Sequence, residues 1–119
     1  MSVEKTERRM SLSKLEQWYA NRCDGEWEHS YGVRMDTVDN PGWDIKIDLG
    51  DTGRESCVLE RTKTDRTERD WIQYWIEKKQ FRIACGPLNL SEAAEIFVNW
   101  FESQRTQSPP AARQRRRPL

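Results

Sequence analysis

The residues best equipped for chemistry crowd into one stretch, "CDGEWEHSYGVRMDTVDNPGWDIKIDLG", from Cys23 to Gly50. It holds His29, the only histidine, with Asp24, Glu26, Glu28, Asp36, Asp39, Asp44 and Asp48, and Asp51 follows directly. A histidine among carboxylates can hold zinc or iron. A catalytic zinc takes three protein ligands, however, and His29 has no second histidine or cysteine pair to join it. Paired carboxylates, such as Asp36 with Asp48, or Glu28 beside His29, could do general acid–base work. Carboxylates that alternate along a strand more often form its wet face. No Ser–His–Asp order, glycine-rich phosphate loop or H-E-x-x-H motif is present. The expectation is a binding protein without catalytic residues, metal or cofactor. Its alternative is a small metal- or carboxylate-dependent hydrolase.

Trp27 lies between Glu26 and Glu28, just after Gly25, and on no periodic face. It admits two readings. Aromatic anchors ringed by charge are favoured at protein interfaces. Equally, tryptophan is mostly buried on average, and the ring could fold under the preceding helix as a lid on the core. Trp43, Trp71, Trp75 and Trp100 sit on apolar stripes and read as core.

The elements that must position these groups fit one domain of 119 residues. The apolar fraction is 35% and the charged fraction 34%, so the core is small. Six tryptophans can anchor it, because each buries a large apolar area. Net charge is zero over the whole chain. From Leu12 to Gln104, however, eighteen acidic residues face twelve basic ones, a balance of −6. The basic excess is in the ends, at Lys5, Arg8 and Arg9 and at Arg105, Arg113, Arg115, Arg116 and Arg117. An acidic body favours a cationic partner and repels nucleic acid. The three cysteines form no CxxC, which leaves reduced thiols as the simplest reading. No signal peptide and no membrane span is expected.

Residues 1–10 read as a flexible segment. A helical pattern begins at Leu12 and continues through Leu15, Tyr19 and Cys23, with Ser11 or Ser13 as its cap. Two alternating runs follow, Tyr31–Thr37 and Trp43–Leu49. The turn Asp39-Asn40-Pro41-Gly42 joins them into a hairpin. Ser56–Arg61 reads as a third, weaker strand and 62–70 as an exposed loop. Trp71–Glu77 is apolar on both sides, as a strand covered on both faces would be. Phe81–Cys85 is the fifth strand. A second helix starts at Asn89 and buries Leu90, Ala93, Phe97 and Phe101. The expectation is an α+β domain over 11–104, with an antiparallel meander of about five strands flanked by an N-terminal and a C-terminal helix. Residues 105–119 read as a disordered basic tail. They could bind RNA non-specifically, but they lack aromatic interleaving and hang on an acidic body.

"WYANRCDGEWEHSYGVRMDTVDNPGWDIKIDL", Asp70-Trp71, Phe81 and "NLSEAAEIFVNW" together closely resemble the immunity protein 53 family of bacterial polymorphic toxin systems. The likeness runs from about Leu12 to Phe101 and leaves both basic ends outside it. The resemblance implies a small cytoplasmic antitoxin that binds a cognate toxin domain. Many such toxins are basic nucleases, which an acidic inhibitor can block by mimicking nucleic acid. Asp24, Glu26, Trp27, Glu28 and His29 on the loop after the first helix, with Asp39 and Asn40 at the hairpin turn, are the candidate partner-binding residues.

Overall fold

In the structure, a computed structural model, residues 2–107 are described, with side chains from 11 to 104. Of the expected tail over 105–119, residues 105–107 fall in the last helix and 108–119 lie outside the described residues. Helix α1 spans Ser2–Arg22 and a single turn, α2, spans Trp27–Ser30. Five strands follow: β1 Val33–Val38, β2 Gly42–Asp48, β3 Thr62–Asp65, β4 Trp71–Glu77 and β5 Gln80–Cys85. Helix α3, Leu90–Gln107, closes the described chain. The α+β architecture with an antiparallel five-stranded sheet is as the sequence predicts.

The strand order corrects the meander. It runs β1-β2-β5-β4-β3, and every neighbouring pair is antiparallel. β5 takes the centre because its inward side chains, Phe81, Ile83 and Cys85, are all fully buried. The polar β3 has little to bury and occupies an edge.

Register fixes one apolar face. Ile45 and Ile47 on β2 lie opposite Ile83 and Phe81 on β5, which in turn oppose Tyr74 and Ile76 on β4. Helices α1 and α3 pack on this face through Leu15 and Trp18 and through Ala93, Ala94, Phe97, Val98 and Phe101. Trp18 meets Phe97 edge-on at 4.8 Å and Phe101 at 5.4 Å. Trp18 is the core residue the sequence pattern missed. The buried stripe of α1 runs Ser11, Leu15 and Trp18, whereas Tyr19 is 41% exposed. Ser11 and Ser13 lie inside the helix and do not cap it.

The opposite face of the sheet is open to solvent among the described residues, which corrects the reading of β4 as covered on both sides. Trp71 and Trp75 lie on it, half-buried. The guanidinium of Arg61 covers the Trp75 ring at 3.9 Å, with Arg82 at 5.5 Å. The Trp75 indole N–H donates to Glu77 at 2.7 Å and holds that carboxyl below its usual range.

The connection from β2 to β3 is longer than expected, and strand pairing begins at Thr62, not Ser56. The Ser56–Arg61 segment flanks the sheet, with Leu59 accepting one backbone bond from Ile76. Buried Arg54 ties this connection to α3. Its guanidinium lies 4.1 Å over the Phe101 ring and donates to the Phe101 carbonyl at 3.2 and 3.3 Å. Gly42 belongs to β2 and pairs with Val38 instead of completing the turn. It must be glycine for space, since an added Cβ would collide with the Cys85 carbonyl oxygen.

Candidate functional site

The loop between α1 and β1 is built by two carboxylates acting on backbone N–H groups. Asp24 Oδ1 accepts from Glu26 and Trp27, both at 3.0 Å. Glu28 reaches back to accept from Asp24 at 3.0 Å and Gly25 at 2.9 Å. Together they satisfy the free donors that open a helical turn. Gly25 sits at φ +96°, where L side chains are strained. The bonds from Trp27 and Glu26 hold the Asp24 carboxyl below its ordinary pKa.

The loop is pinned to the sheet by Trp27. Its ring is 5% exposed and meets Trp18 edge-on at 5.9 Å. Its indole N–H donates to the Gly50 carbonyl at 2.8 Å. Gly50 itself lies against the Tyr31 ring, only 2.5 Å from where a Cβ would stand. At the start of β1, the Gly32 N–H donates to Asp48 Oδ2 at 2.9 Å. Gln80 donates to the other Asp48 oxygen, also at 2.9 Å.

These contacts leave an open cleft of about 620 Å³ beside the loop. Arg22, Asp24, Glu26, His29, Tyr31 and Asp51 line it. Asp24, Glu26, His29 and Asp51 are exposed. The cleft is therefore a mainly acidic, hydrogen-bond-accepting surface. Among the described residues, no group of three or more His, Cys, Asp or Glu side chains is placed to hold a metal ion.

The predicted site residues thus separate. Asp24, Glu26 and His29 share the cleft. Glu28 is occupied by the loop's own N–H groups. Trp27 is the lid on the core, so its reading as an exposed anchor is corrected. Asp39 and Asn40 are exposed at the far end of the β1–β2 hairpin. Six strand residues, about 20 Å, separate them from the loop. Sequence reasoning missed Asp51, Arg22 and Tyr31 as cleft residues. Asp51 had a local signal, since it follows Gly50 in a turn and takes φ +58°. Arg22 and Tyr31 had none, because only the docking of α2 on Gly50 brings them together.

The model of the family described as immunity protein 53 matches residues 12–102. No curated protein and no solved structure matches the chain. No described helix is long and apolar enough to cross a membrane.

Proposed function

The chain belongs to the immunity protein 53 family, and from that premise we propose that it is a cytoplasmic antitoxin. It binds a cognate, basic toxin domain and inhibits it by occlusion, without turnover of any substrate. The observation that carries this reading is the loop cleft. Asp24, Glu26 and Asp51 present carboxylates around it, on a body whose described side chains are acidic overall. Toxin lysines or arginines seated there form charge-assisted hydrogen bonds, which are shorter and stronger than neutral ones. The surrounding negative potential speeds encounter.

Trp27 and Glu28 serve this surface from beneath. They fix the loop backbone, so the cleft carboxylates are in place before the toxin arrives and lose little freedom on binding. A toxin that works on nucleic acid has a cationic active site, and an acidic occupant competes directly for it.

Co-expression with the C-terminal domain of the neighbouring gene's product tests the proposal. The expected result is restored growth of the host and co-purification of the two proteins. Growth arrest despite full expression of both, with no complex on gel filtration, contradicts it.

A further inference from the structure

The outer edge of β1 has no strand beside it among the described residues, and five of its six residues are exposed. Met35 and Val38 are 38% and 39% exposed there. Asp48 N–H donates to the Gly32 carbonyl, so Gly32 faces β2. In an antiparallel ladder the bonding direction alternates. The N–H and C=O groups of Val33, Met35 and Thr37 therefore point away from β2, unpaired, along the free edge.

The side chains of this strand are frustrated within their own sheet. Arg34 lies directly opposite Lys46, and Asp36 directly opposite Asp44. Like charges facing each other across strands are destabilising. Lys46 and Arg82 approach Asp44 at 3.9 Å. Neither Arg34 nor Asp36 has an ion pair among the described residues.

We propose that β1 pairs with β1 of a second copy of this chain, antiparallel, about a two-fold axis through Met35. In that register Arg34 of each copy faces Asp36 of the other, twice. Val33 faces Thr37, and Met35 faces its own counterpart. The outward groups of Val33, Met35 and Thr37 then form about six backbone hydrogen bonds, two at each of three pairs. Shifting the register by two residues places Arg34 against Arg34 or Asp36 against Asp36. Only the centred register relieves both charges. The edge that would otherwise invite non-specific pairing is closed by a specific one.

The same register has a consequence that rests on the proposed function. It sets Asp39 and Asn40 of the second copy opposite Tyr31 and Ser30, which line the cleft. Residues held about 20 Å apart within one chain become neighbours across the two-fold axis. The complete acidic surface is then shared by two copies.

Sedimentation equilibrium on the full chain tests the dimer without any toxin. The expected mass is twice the 14.2 kDa of one chain. R34D and D36R each replace a like-charge pair with an opposite pair inside the protomer, so the fold is not endangered. Each alone is expected to give monomer, and the R34D/D36R double exchange to restore the dimer. A wild-type monomer at about 0.5 mM, where even weak association registers, overturns the proposal. So does a dimer that survives both single changes, or one that the double exchange fails to restore. If the dimer forms as described but N40D leaves toxin affinity unchanged, the pairing stands and the shared toxin surface fails.

Discussion

The indole N–H of Trp27 donates to the carbonyl of Gly50 across 2.8 Å, joining two segments 23 residues apart in sequence. This bond, and the edge-on contact of the same ring with Trp18, hold the acidic loop against the sheet. The acidic loop surface therefore has a buried cause.

Two substitutions separate the bond from the ring. W27F keeps an aromatic in the pocket and loses the donor, leaving the Gly50 carbonyl unpaired. The expected cost is about 1–2 kcal/mol. W27A also empties the pocket and is expected to cost about 3–5 kcal/mol. Urea denaturation of both variants measures the two contributions. A W27F as stable as wild type would mean that the hydrogen bond carries nothing, and equal losses would mean that the ring packing adds nothing to it.

Glycine is required for space at two sites, and the obstacles differ. At Gly50 the obstacle is the Tyr31 ring at 2.5 Å, a side chain that can tilt. At Gly42 it is the backbone carbonyl of Cys85, held in the β2–β5 ladder. G50A is expected to lose about 1–3 kcal/mol, in the range for overpacking. G42A is expected to lose more, because strand pairing must open. Thermal melts of the two variants rank them, and the reverse order would contradict the assignment.

The loop is acid-sensitive in a defined direction. Backbone N–H bonds lower the Asp24 pKa in the folded state. A depressed carboxyl contributes stability above its unfolded value and loses it as pH falls through the folded one. The Glu26 and Trp27 amides should therefore stay bonded at pH 5 and release only below about pH 3.9, the ordinary aspartate value. Amide NMR shifts across an acid titration read this directly, with D24N as the flat control. A midpoint above the ordinary value would show that the bonds do not hold Asp24 ionised.

The three thiols should react in an order set by burial. Cys85 is fully buried at the centre of the sheet, and desolvation raises its pKa to about 11. Burial also raises Cys57. Cys23 lies at the edge of the site loop, half-exposed. With a thiol reagent at pH 8, Cys23 is expected to react first and Cys57 more slowly. Cys85 is expected to react only as the protein unfolds. Rapid modification of Cys85 in the folded protein would contradict the packing of β5.

The hairpin, the second helix and the clustering of charge were legible because their periodicity matches their burial. In α3, Ala93, Phe97 and Phe101 are both the apolar stripe and the buried one. In α1 the periodicity misleads. Ser11 holds a buried position and Tyr19 an exposed one, so the pattern slid by one residue and Trp18 escaped. β3 was illegible because an edge strand with exposed side chains needs no apolar alternation. The strand order was illegible because pairing of β2 with β5 depends on which strand buries most, and short-range pattern does not encode that. At the site, the charges could be read from sequence. The side of the loop on which Trp27 falls could not, since its partner Gly50 lies in a different element.

The proposed function requires the acidic, pre-set loop surface to seat a cationic toxin domain. Isothermal titration of the toxin domain against wild type and E26K/D51N measures it most directly. Both side chains are exposed, and Glu26 joins the bonds that fix the loop only through its backbone, and the double change removes three units of negative charge. An unchanged melting temperature is expected, with affinity weakened by about a hundredfold at low salt, given that close charge pairs at interfaces couple by about 1.5–7 kcal/mol. The difference should narrow as salt rises. Wild-type affinity in the double variant, at every salt concentration, would contradict the claim and place the toxin elsewhere on the fold.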